Sequence, residues 1–210
     1  MVSLLALFGQ GFVVGLSGAM IPGPLLVFTI QQSLRRSPWT GAVIIVGHVV
    51  VESLLVLAVV FGLHVLVVDH PAVVRWMRGV GGLLLIGMGA MAARGAAEPV
   101  GRAEGAGAGK RRAIGGGVVL TLFNPGFPLW WFTIGVTFLL SAMGRGWAAV
   151  VAFMVGHWLS DFAWYTVVSF SASRGGRLIK GAAYVWVIRA LCLVLAAFGG
   201  LFIYRALRGA

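Results

Sequence analysis

The sequence predicts an all-α integral membrane protein of six transmembrane helices, arranged as two inverted three-helix repeats with helices 1 and 4 broken at Pro-Gly motifs. Three observations predict it. Of the 210 residues, 60% are hydrophobic and only 10% charged, with a mean hydropathy of +1.01, which is the range of polytopic membrane proteins. Apolar runs able to cross a bilayer core, which takes about 20 helical residues, occur at roughly 4–31, 41–67, 73–93, 114–140, 147–171 and 184–204. Finally, motifs of the first half return in the second in the same order.

The recurrences are specific. "VGHVVVE" at 46–52 is answered by "VGHWLSD" at 155–161, and "IPGPLL" at 21–26 by "NPGFPLW" at 124–130, with one residue inserted before the second proline. Arg78 and Arg94 bracket the third span as Arg189 and Arg205 bracket the sixth. The whole chain, 1–210, is read as a single transmembrane domain made of repeat one, 1–94, a linker, 95–113, and repeat two, 114–210. The linker is rich in Gly, Ala and charge and has no apolar face. Each half has an odd number of spans, so the second half must cross in the opposite sense, the architecture of many secondary transporters.

The formal charge of +11 does not mark a nucleic-acid binder, because the basic residues are scattered over short connectors rather than gathered in a domain. Membrane orientation accounts for them. Connectors one, three and five carry Arg35, Arg36, Arg94, Arg102, Lys110, Arg111, Arg112, Arg174, Arg177, Lys180 and Arg189, whereas the other side carries Arg75, Arg78, Arg145, Arg205 and Arg208. The positive-inside rule then puts both termini outside the cytoplasm. Lone Cys192 excludes intrachain disulfides, CxxC redox chemistry and thiolate metal cages. No Lys or Arg precedes the first apolar run, so residues 1–30 are expected to be retained rather than cleaved as a signal peptide. No Walker loop or nucleotide fingerprint is present, no Ser-His-acid set stands out, and no cofactor is expected; the chain does not read as an enzyme.

Run one would be about 42 Å long as a continuous helix, against a core of about 30 Å. A break at Pro22-Gly23-Pro24 resolves both the length and the prolines, which bend helices. Irregular backbone at membrane depth survives only inside protein or beside a water-filled cavity, and a broken helix offers free N–H groups and partial positive charge to an anion such as a carboxylate. The second break, at Asn124, Pro125, Gly126 and Pro128, would supply the symmetry-related half of one midplane substrate site. The alternative is a structural kink whose freed groups are re-satisfied by neighbours.

His48 and Glu52 are four residues apart, as are His157 and Asp161, so each pair shares a helix face. All four fall near mid-membrane, where a carboxylate costs about 2.5 to 3.5 kcal/mol to insert and must face the bundle interior. Read functionally, Glu52 and Asp161 hold a proton, or a substrate ammonium, in alternation, with His48 and His157 completing a proton-coupling set. Read structurally, each pair locks neighbouring helices. Together the four are also potential ligands for Zn²⁺ or Mn²⁺, which makes a divalent metal-ion exporter the alternative function, although no metal is assigned. Tyr165 falls on the Asp161 face with Trp164 beside it, and both are candidates for lining the substrate cavity. Trp130, Trp131 and Trp158 suit either a cavity or a helix interface.

Together these residues resemble the LysE/RhtB family of amino-acid exporters. The likeness rests on "GFVVGLSGAMIPGPLLVFTI", on "LTLFNPGFPLWWFTIG" and on the three-plus-three organisation, and it spans essentially the whole chain. It implies a cytoplasmic-membrane exporter of amino acids or close derivatives, driven by protons or another coupling cation and surrounded by membrane lipids, with homo-oligomerisation left open and no nucleic-acid partner. Pro22, Gly23 and Pro24 correspond to the family's first break, and Asn124, Pro125, Gly126 and Pro128 to its second. The His-acid pairs are not carried over from the family; their role rests on membrane physics alone.

Overall fold

A computed structural model describes residues 3–21, 23–62, 71–94, 106–124, 126–178 and 182–208, and every regular element among them is helical. Ser3 starts α1 (Leu4–Ala19), its hydroxyl accepting from Ala6 N–H at 3.2 Å, a standard N-cap. Helix α2 (Pro24–Arg35) begins at Pro24, where the missing N–H costs nothing, after Gly23 in extended conformation. The two axes differ by 83°, so the first apolar run is a sharply bent pair that extends to Arg35.

The chain continues through α3 (Thr40–Val60), α4 (Pro71–Arg94) and α5 (Ala106–Leu122). Helix α5 starts inside the segment read as a linker: Ala113 is buried, and Gly109 lies directly against the Arg36 guanidinium. Small residues, which carry no strong apolar signal, form this end of the helix by packing closely on a neighbour. The run expected at 114–140 is divided among α5, α6 (Gly126–Trp130), a π-helical turn (Trp131–Gly135) and α7 (Val136–Met143). A π turn widens the helix by one residue and re-aims side chains, commonly at functional sites. Helices α8 (Trp147–Leu178) and α9 (Ala182–Arg208) complete the described chain.

Packing is set by exchanged glycine contacts. A methyl group on Gly11 of α1 would strike the Phe153 carbonyl of α8, and one on Gly156 of α8 would strike the Phe8 carbonyl of α1. The same exchange joins α5 to α3, with Gly117 against the Ile44 carbonyl and Gly47 against the Ile114 carbonyl. Thus the glycines of the two Gly-His dipeptides, Gly47 and Gly156, are the points where backbones touch. Helices α4 and α9 meet at Gly82 and Gly199, where an added methyl on either would lie 2.6 Å from the other's carbonyl oxygen.

The outward faces are apolar. Val46, Val50, Leu54 and Leu57 are exposed along one stripe of α3, and Trp147, Val151, Val155 and Leu159 along one stripe of α8, while Glu52, His157, Ser160 and Asp161 of the same helices are buried. Polar inside and apolar outside is the pattern of a chain solvated by lipid. Among the described residues, α3 and the Val185–Arg208 part of α9 are long and apolar enough to cross a membrane, three spans if the bent α1/α2 pair counts as one. The protein is an all-α, membrane-associated fold.

Candidate functional site

Helices α3 and α8 cross with His48 and Glu52 facing His157 and Asp161. The shortest contact runs between the helices: His157 Nε2 donates to Glu52 Oε1 at 2.9 Å. Trp131, the first residue of the π turn, donates its Nε1–H to the same oxygen at 3.0 Å. Within each helix the separations are longer, 3.6 Å for His48 Nε2 to Glu52 Oε1 and 3.7 Å for His157 Nε2 to Asp161 Oδ2. Both exceed hydrogen-bond range. Side chains four apart on one helix run side by side, so closest approach comes from the opposing helix, a pairing that spacing alone does not show.

Glu52, His157 and Asp161 are 1%, 2% and 3% exposed. A buried carboxylate must gain hydrogen bonds or a counter-charge to offset its lost hydration. Glu52 Oε1 has two donors, yet Glu52 Oε2 and Asp161 Oδ2 are buried without a hydrogen-bond partner among the described residues. The tetrad therefore holds spare acceptor capacity in a dry setting, an arrangement suited to a cation or a donor-rich group. The donor atoms of His48, Glu52 and Asp161 lie within 4.8 Å of one another, close enough to share one ion.

Thr121 of α5 holds His48, its Oγ1 2.9 Å from His48 Nδ1. Aromatic rings wall the rest: Phe127 is 5.5 Å from His48 between centroids, and Trp130 and Trp131 are each 5.3 Å from His157. The far side is closed by α1, where a methyl on Gly15 would collide with Ser160 Oγ and lie 2.7 Å from His157 Nδ1.

The helix breaks lie next to each other. A methyl on Gly23 would be 4.0 Å from Asn124 Nδ2, and Asn124 Oδ1 accepts from Gly126 N–H at 3.0 Å, a short turn that Asn favours. Pro24 and Asn124 help to line an apolar crevice together with residues that include Gly81, Leu85, Leu120 and Phe123. Pro128 is half-buried on α6. Through α6 and the π turn, the second break connects directly to the tetrad, because Phe127, Trp130 and Trp131 follow it in sequence. Pro22 and Pro125 lie outside the described residues.

Tyr165 and Trp164 follow Asp161 along α8. Tyr165 is buried with Leu25, Phe28, Ile44 and Ile45, and Trp164 packs against the same cluster. No hydrogen bond joins either to the tetrad among the described residues. Sequence reasoning passed over Thr121 and Gly15. The available signal is positional: they stand four residues beyond Gly117 and Gly11, the matched contact points of α5 and α1.

No curated protein and no solved structure matches the chain. Residues 16–206 match the family model described as LysE type translocator. Helices α2 to α9, with both breaks and the tetrad, fall almost wholly inside that match, and the chain belongs to the LysE type translocators, a family of transporters and not of enzymes.

Proposed function

We propose that this protein is a secondary active exporter of amino acids or close derivatives across the cytoplasmic membrane, coupled to the proton gradient. One observation carries the reading: the tetrad of half-buried His48 and buried Glu52, His157 and Asp161 joins the two halves of the chain and leaves two carboxylate oxygens without donors among the described residues. Ionisable groups in a membrane interior are costly and mark proton or substrate paths. In this reading Pro22, Gly23, Pro24, Asn124, Pro125, Gly126, Pro128, Trp164 and Tyr165 bind the substrate, and the tetrad carries the proton.

The architecture that goes with this reading is six spans in two inverted repeats, 1–94 and 114–210, rocking in alternating access about a midplane site. The reciprocal glycine contacts support it, since Gly11 on Phe153 and Gly156 on Phe8 repeat as Gly117 on Ile44 and Gly47 on Ile114. Both termini lie outside the cytoplasm, following the bias of Lys and Arg toward connectors one, three and five.

A second reading, export of a divalent cation, has the convergence of His48, Glu52 and Asp161 in its favour. One experiment separates them. Proteoliposomes are loaded with an amino-acid mixture or with Mn²⁺ or Zn²⁺, a pH gradient is imposed, and release is compared between the wild type and Glu52→Gln. Gradient-dependent loss of particular amino acids, abolished in the variant, supports amino-acid export; release of metal alone overturns it in favour of cation export.

A further inference from the structure

The two halves share the reciprocal glycine contacts beside the tetrad but differ one turn beyond them. Gly15 and Thr121 occupy corresponding positions, each one turn beyond a matched glycine and each beside the Nδ1 of a tetrad histidine. Gly15 offers no hydrogen-bonding side chain, and His157 Nδ1 is buried without a partner among the described residues. Thr121 offers a hydroxyl, and His48 Nδ1 is bound to it at 2.9 Å.

The hydroxyl's single hydrogen decides the tautomer of His48. Thr121 Oγ1 is 2.7 Å from the Gly117 carbonyl oxygen, and two oxygens that close repel unless a hydrogen lies between them. The Thr121 hydrogen therefore points at Gly117, and its oxygen accepts from His48 Nδ1–H. A neutral His48 then has a bare Nε2. The distances agree: His48 Nε2 stands off from Glu52 Oε1 at 3.6 Å and from Asp161 Oδ2 at 3.9 Å, beyond hydrogen-bond range. His157 is the reverse, with Nε2–H donating to Glu52 at 2.9 Å and a bare Nδ1 facing Gly15, where an N–H would be left unsatisfied.

We propose that Thr121 is a positioning residue that divides the labour between the histidines: it turns the lone pair of His48 Nε2 toward Glu52 and Asp161 to meet the cationic cargo or coupling ion, while His157 serves as a fixed strut for Glu52. This inference rests on the transport reading above for its consequence, but its tautomer assignment stands or falls independently.

The test uses full-length protein labelled with ¹⁵N-histidine and reconstituted in bilayers, with His48→Gln and His157→Gln assigning the signals. Nitrogen chemical shifts distinguish protonated from bare ring nitrogens. Wild type should show Nδ1–H on His48 and Nε2–H on His157; the same tautomer on both, or the opposite pair, overturns the proposal. Thr121→Val, near in shape but without the hydroxyl, should move His48 toward the Nε2–H form. It should also slow release of a radiolabelled amino-acid mixture about 10- to 100-fold, by analogy with the loss of the partner that orients a metal-binding histidine. Thr121→Ser should restore the wild-type tautomer and bring release back toward wild type. Equal loss in both variants, or release by Thr121→Val at the wild-type rate, refutes the positioning role. If Thr121→Val fails to fold, the wild-type tautomers and the serine variant still decide the matter. A wild type with the assigned tautomers that releases no amino acid would count against the transport reading alone.

Discussion

Replacing Gly156 with alanine should push α1 and α8 apart and disturb the tetrad without touching any of its members. The added methyl would meet the backbone of Phe8 and Phe12, including the Phe8 carbonyl carbon at 2.9 Å and Phe12 N at 3.1 Å. Backbone atoms cannot rotate aside as a side-chain tip can, so the helices must separate by roughly 1 Å to regain ordinary contact distance. Alanine raises helix propensity by about 1 kcal/mol over glycine, while overpacking a tight interface costs about 1 to 3 kcal/mol. The expected net is a loss of up to about 2 kcal/mol. Gly9→Ala is the control: it lies on α1 with nothing among the described residues within 4 Å of the new methyl and should be neutral or stabilising. Thermal unfolding of the purified protein in one detergent, read side by side for wild type and both variants, checks this. Export should also fall in Gly156→Ala alone, because Gly15, one turn from the same interface, covers His157. Equal stability of the two variants would refute the claim that reciprocal glycine contacts set the helix spacing.

Two further outcomes follow from the geometry. Trp131→Phe removes one of the two donors on Glu52 Oε1 while keeping an aromatic ring; a bond to a charged acceptor contributes about 1.5 to 3 kcal/mol, so unfolding temperature and export should both drop, and an unchanged export rate would show that Glu52 does not need this donor. Ser169→Ala should destabilise by about 1 to 3 kcal/mol, since Ser169 Oγ accepts from Gly41 N–H at 3.0 Å and pairs with Ser33 Oγ at 2.7 Å; Gly41 lies in the first turn of α3, where N–H groups have no intrahelical partner. Thermal unfolding of Ser169→Ala beside Ser33→Ala checks it, with the smaller effect expected for Ser33→Ala, which loses its bond to the Thr29 carbonyl but leaves Ser169 Oγ accepting from Gly41 N–H.

By itself the sequence determined the helical, lipid-solvated character of the chain, because apolar runs of membrane length admit few other structures once backbone groups must be satisfied internally. It also located the breaks, since Pro24 can start a helix but not continue one, and α2 begins there. The expensive residues were legible for the same reason: a carboxylate such as Glu52 or Asp161 stands out in an apolar run. Tertiary structure alone decided who meets whom. Spacing paired His48 with Glu52 and His157 with Asp161, whereas the crossing of α3 and α8 set His157 on Glu52. The π turn, which aims Trp131 at that carboxylate, and the hydroxyl of Thr121 on His48 belong to contacts between segments distant in sequence. Tyr165 shares the Asp161 face by count, and the apolar cluster it packs into was visible only in three dimensions. Periodicity fixes the face a residue occupies on its own helix; which helix that face meets, and at what height, depends on where glycines let two backbones touch.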